Sequence, residues 1–189
     1  MAVMALLLGA GLRGLGDAAA SARRVATDSV ISLVEQARAT AISSRGIVVL
    51  ALADPGDLPG GDECGRLGLF KVKDWPADPA TLEGTLIRQW LVLPRGVLLL
   101  PGAVNGVRNP RDEPQSTIRY LAASQPVQGR FHILAFSPRG ALLWPAGSDP
   151  LALRIGDGGH RHGQPVPNSC GESWVKIGRV TARAYPFDR

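Results

Sequence analysis

The chain has 189 residues, 45% of them hydrophobic and 20% charged, with 23 glycines and 15 prolines. That apolar share excludes wholesale disorder, the length fits one compact domain, and the abundance of Gly and Pro argues for many turns and against a helical bundle. A formal charge of +5 permits a polyanionic partner without demanding one, and two cysteines, Cys64 and Cys170, make neither a disulfide-dense framework nor a zinc site. A single disulfide between them stays open.

Residues 1–12 are uncharged and almost wholly apolar, about half the roughly 20 residues that span a bilayer. The run reads as the remnant of a transmembrane helix (residues 1–16) or, alternatively, as a signal-peptide core with small residues at Ala18 to Ala22 for cleavage. Residues 17–45 then read as an amphipathic helix. Asp17 suits an N-cap, and Val30, Leu33, Val34, Ala37 and Ala41 form one apolar stripe for helix packing. Gly46 suits the left-handed stop.

From residue 46 to 189 the pattern predicts an antiparallel β-domain. Ile47 to Ala53 is a β-branched run closed by Asp54-Pro55-Gly56, and Leu67 to Lys73 is a second strand. Residues 74–84 read as loop. Leu86 to Leu93 and Val97 to Leu100 form a hairpin-like pair around Pro94-Arg95-Gly96. Residues 101–116 read as an exposed excursion and Thr117 to Ala122 as a short strand or edge. Arg130 to Phe136 and Ala141 to Trp144 bracket a turn at Ser137-Pro138-Arg139-Gly140. A strand at Leu151 to Ile155, a long loop at Gly156 to Glu172 and a closing strand or pair at Trp174 to Tyr185 complete the chain. The expected fold class is α+β, a long helix on a small antiparallel sheet.

Chemistry-bearing residues are sparse. His160 and His162, with Cys170 eight residues on, are the only cluster of metal-ligand types, and the stretch between them reads as an exposed loop. His132 alternates with apolar neighbours in a strand and has no assigned role. Asp62-Glu63 and Asp112-Glu113 read as solvated loop carboxylates. No nucleophile elbow or phosphate loop is present, so no catalytic, cofactor-binding or metal site is expected and the chain does not read as an enzyme. Trp75, Trp90, Trp144 and Trp174 read as packing residues. Arg130, Arg139, Arg154, Arg179 and Arg183 could face DNA only if they shared one surface.

Leu33-Val-Glu-Gln-Ala37-Arg38-Ala-Thr-Ala41-Ile42-Ser-Ser-Arg45-Gly46, followed at once by a strand, resembles the helix end of H-type minor pseudopilins and FimT-like minor pilins. Phe136-Ser-Pro138-Arg-Gly140 resembles their hairpin, and Val175 to Tyr185 their closing strand. Gln89-Trp90-Leu-Val-Leu93-Pro94-Arg-Gly96-Val97 is similar to an element of prepilin-like proteins from Verrucomicrobia-type bacteria. The motif residues are Ala37, Arg38, Gly46, Phe136, Pro138 and Gly140. The family's Gly-Phe-Thr-Leu-x-Glu cleavage signature has no match, so the resemblance places the true start upstream of Met1. It implies a pilin-like fold with a partly membrane-embedded helix. It further implies a single-pass inner-membrane protein whose β-domain lies in the periplasm. The role so implied is structural, as a minor subunit of a type II secretion pseudopilus or type IV pilus-like filament. Its partners would be other pilin or pseudopilin subunits and the secretion or pilus assembly machinery, with DNA a secondary reading. The competing expectation is a secreted or surface β-domain binding module with a cleaved signal peptide.

Overall fold

The computed structural model describes the backbone of residues 2–58, 64–103, 105–122, 125–161 and 164–187, and the side chains there from residue 18 onward except 164, 169 and 170. One helix, α1 (Ala2–Ser43), leads into eleven strands: β1 (Ile47–Ala53), β2 (Arg66–Val72), β3 (Thr81–Leu86), β4 (Leu91–Val92), β5 (Val97–Leu100), β6 (Ser116–Ala122), β7 (Gln125–Phe136), β8 (Leu142–Trp144), β9 (Leu151–Arg161), β10 (Gln164–Ile177) and β11 (Ala184–Phe187).

β1 is apolar at every position because both its faces are covered. It pairs with β2 on one side and with β7 on the other. The ring β1-β2-β3-β6-β7 therefore closes on itself as a five-stranded barrel, with β4 and β8 added on β2 and β7. The closing contact between β3 and β6 is parallel, Thr81 to Glu83 beside Thr117 to Arg119. Inward residues such as Val49, Phe70, Ile118, Phe131 and Ile133 fill the barrel. Trp90 packs against this interior cluster at Gly68, where an added Cβ would meet the indole at 2.7 Å. Phe70, Tyr120 and Phe131 surround that ring at centroid distances of 5.6, 6.4 and 5.4 Å.

A second sheet, in the order β11-β10-β9-β5, stands beside the barrel. The α1 stripe Val30, Leu33, Val34, Ala37 and Ala41, the outward residues of β1 and β7, and Leu153, Ile155 and Val175 of this sheet share one buried core. Polar bonds also hold the helix down. Glu35 Oε1 accepts from the Ala184 amide at 3.1 Å, and Arg88 donates to Gln36 Oε1 at 2.7 Å.

The structure corrects several expectations. A pilin-like helix on a small antiparallel sheet is not the architecture: a closed barrel containing a parallel pair, plus a four-stranded sheet, dominates it. Among the described residues no helix is long and apolar enough to cross a membrane, so the partly embedded helix and the single-pass inner-membrane placement are corrected too. The uncharged run at the start of α1 ends at Arg13, about half the roughly 20 apolar residues that a crossing takes, and the charges Arg23, Arg24, Asp28, Glu35 and Arg38 follow it in the same helix. The side chains of residues 1–16, the expected membrane remnant, lie outside the described residues. Asp17 is not a helix start, since α1 continues through it.

Local signals misled in four more places. Arg45, not Gly46, takes the left-handed turn at the helix end, with φ of 47°. Gly46 N–H donates to Ala41 and Arg45 N–H to Ile42, the paired bonds of a Schellman cap. β5 does not pair with residues 86–93 but joins β9 in the other sheet. Residues 81–84 are strand rather than loop. Residues 156–161 and 164–172 are strand, paired across β9 and β10, instead of loop. Two glycines there are close-approach sites: a Cβ on Gly156 would meet Leu100 at 2.5 Å, and one on Gly158 the Val166 carbonyl at 2.4 Å.

Candidate binding groove

β3 and β6 hold together for only three residues and then part. Beyond Glu83, β3 continues to Leu86 against β2 alone, and beyond Arg119, β6 continues to Ala122 against β7 alone. Antiparallel ladders alternate between bonded and non-bonded pairs. The Ile87 amide bonds to the Leu69 carbonyl, so Leu86, one position back, turns its own amide and carbonyl away from β2. Leu121 faces Pro126, which has no N–H to give, and its backbone groups likewise turn away from β7. Two strand edges thus look at each other across a gap.

That gap is a groove of about 600 Å³. Tyr120 forms its floor; its ring lies edge-on to Phe70 at 5.1 Å, and burial pushes its hydroxyl pKa up. Leu121 stands at the rim, 67% exposed. Lys71, Lys73 and Arg119 are exposed on the lining and make no ion pair among the described residues, against one lining acid, Glu83. The groove therefore offers open backbone hydrogen-bonding groups, an aliphatic rim and a net positive charge.

At the junction of barrel and second sheet lies a buried polar cluster that no sequence signal announced. Asn109 is fully buried, donates to the Leu100 and Gly102 carbonyls and accepts from the Arg111 amide at 3.0 Å, starting a 3₁₀ turn at Pro110–Asp112. That turn aims Arg111 at Asp54, 2.5 Å away. Asp54 Oδ1 also lies 3.6 Å from His160 Nε2. His132 contacts the Glu113 carbonyl at 2.9 Å through Nδ1, and its pKa is lowered by burial first and then by the Arg111 charge. Burial first, with the Asp54 charge adding to it, raises the Asp57 carboxyl pKa, against the lowering effect of its bond from the Asp54 amide at 2.7 Å. Asn-Pro followed by a basic residue was the available signal, but it reads equally well as an exposed turn.

The other residues singled out by sequence fall as follows. Phe136 is buried, and Gly140, with φ of 77°, brings the Pro138 turn against Ile42 and Arg38 of α1. Ala37 lies in the shared core. Cys64 is a buried thiol, whereas His162 and the side chain of Cys170 lie outside the described residues, as do Asp62 and Glu63. Among the described residues no group of His, Cys, Asp and Glu is placed to hold a metal. The five arginines lie on different elements: Arg130 on β7, Arg139 between β7 and β8, Arg154 on β9, and Arg179 and Arg183 between β10 and β11. Arg154 is forked onto Glu172, Arg179 bonds the Pro145 and Asp149 carbonyls, and Arg130 belongs to the barrel.

No family model, curated protein or solved structure matches this chain. The resemblance to minor pseudopilins and FimT-like pilins is therefore corrected: its short motifs find no counterpart over the chain, and the residues carrying them belong to a barrel-and-sheet body without a membrane-crossing helix among the described residues.

Proposed function

We propose that the chain is a binding module rather than a catalyst, and that the β3–β6 groove receives an extended acidic peptide of a partner protein. The observation that carries the reading is the divergence of two strands, which leaves the backbone groups of Leu86 and Leu121 open toward one gap rimmed by Lys71, Lys73 and Arg119. An open strand edge is a template for an added strand, with backbone bonds giving affinity and flanking side chains giving selectivity. Single-stranded nucleic acid would satisfy the charge, but it needs exposed rings for its bases, and Tyr120 is only 6% exposed.

The test is fluorescence anisotropy with a labelled peptide of alternating Glu and Val, about eight residues long to match a typical strand. Binding should be saturable, and the doubly reversed Lys73→Glu/Arg119→Glu chain should lose at least about tenfold, as expected when like charges replace complementary ones. The same peptide N-methylated at alternate amides should bind poorly, since it keeps its charge but cannot extend the ladder. Equal binding of the methylated peptide, of a Lys/Val peptide or of oligo-dT would overturn the proposal.

A further inference from the structure

The groove between β3 and β6 is blind at one end, and its two walls give it a direction. Thr117 N–H donates to the Ala80 carbonyl at 2.8 Å, which sets the phase of the β3–β6 ladder. With Thr81, Leu82 and Glu83 beside Thr117, Ile118 and Arg119, the last rung joins the Gly84 amide to the Arg119 carbonyl. The next rung would join the Leu121 amide to the Gly84 carbonyl, but the pairing ends before it. That donor and that acceptor are therefore the first groups left open, and they stand at the fork. Behind them β3 and β6 bond each other, so a strand added in the gap ends at the fork or turns off the sheet.

β3 and β6 run the same way, from the fork toward Leu86 and Ala122. A peptide antiparallel to both brings its C-terminus to the fork, and a peptide parallel to both brings its N-terminus. Either can meet the open amide and carbonyl, so charge decides. Glu83 and Arg119 are the last paired residues, and Lys73 follows Val72, the partner of Gly84, which sets it level with Glu83. All three are exposed. Two cations and one acid thus surround the fork, a net attraction for a carboxylate and a net repulsion for an ammonium. The other end of the gap is aliphatic, with Leu121 beside Pro126. Antiparallel pairing is also the slightly stronger of the two. Building on the peptide reading of this groove, we infer that it recognises the free C-terminus of the partner chain, with the terminal carboxylate held at the fork by Lys73 and Arg119.

Three peptides labelled at the N-terminus and ending in valine test the assignment by anisotropy: the Glu/Val peptide as free acid, its C-terminal amide, and the amide with one extra Glu at the N-terminus. The third restores the total charge of the first but not its position. The free acid should bind about three- to tenfold more tightly than either amide, the scale of one or two partly exposed charge contacts. In the Lys73→Gln/Arg119→Gln chain, with circular dichroism unchanged, the acid and the plain amide should bind within about twofold of each other. Equal binding of acid and amide would overturn this inference and leave the groove reading standing. So would an extra-Glu amide that matches the acid, or an acid–amide gap that persists in the double variant. Failure of all three to bind would overturn the groove reading itself, and this inference with it.

Discussion

The ion pair between Arg23 of α1 and Asp157 of β9 crosses from helix to second sheet through the protein interior. The Asp157 side chain is only 6% exposed, and its other oxygen, Oδ1, has no hydrogen-bond partner. Its charge therefore depends on one guanidinium. Replacing Arg23 by Met keeps the stem that fills the helix–sheet space and deletes the charge, stranding the carboxylate. Breaking a buried pair on one side costs about 3–5 kcal/mol, out of a total stability of about 5–15 kcal/mol. With a urea slope of about 2 kcal/mol per molar, the unfolding midpoint should fall by about 1.5–2.5 M in circular dichroism. The Arg23→Met/Asp157→Leu chain should recover most of that loss, because an apolar pair has no charge to desolvate. A single variant losing less than about 1 kcal/mol, or a double variant no better than the single, would refute the reasoning.

Two further outcomes are expected. Arg45→Gly should raise stability by about 0.5–1 kcal/mol, read as a higher thermal midpoint: the left-handed cap strains any side chain, and relief exceeds the extra chain entropy of glycine. His132 makes stability depend on pH. Its contact to a carbonyl requires Nδ1 to be the donor, and burial with Arg111 nearby disfavours a second proton in the folded chain. The unfolded chain takes that proton as pH drops below about 6.5, so stability should decline from there toward the lower folded pKa. His132→Gln should flatten this part of the profile in urea titrations at stepped pH; an unchanged slope would sink the assignment.

How much of this was legible depends on whether the deciding contact is local. Ile47 to Ala53 announced a strand buried on both faces, because both faces require apolar side chains and the chain supplied seven in a row. The α1 stripe was legible for the same reason. Gly156 and Gly158 carried the opposite message: glycine in a string usually means a turn, yet here it marks where Leu100 and Leu98 press on the strand. Nothing near Val97 to Leu100 says that its partner lies 54 to 60 residues on rather than beside it. The groove was invisible for a related reason. It consists of the place where two strands stop pairing, and Tyr120 and Leu121 only alternate inward and outward as any strand would. The Arg111–Asp54 contact joins positions 57 apart, beyond the reach of any spacing rule.

The order in which the chain visits its two sheets has a practical consequence for taking the molecule apart. β1 to β4 belong to the barrel, β5 to the other sheet, β6 to β8 to the barrel again, and β9 to β11 to the other sheet. No single cut can separate the two halves. A fragment ending after Trp144 would retain the whole barrel ring but carry an orphaned β5 and a helix stripe bared along the side that Leu153, Ile155 and Val175 cover. Complementation by a split chain should therefore succeed only when both pieces are present together during folding, and protease resistance should be gained or lost by the molecule as one unit.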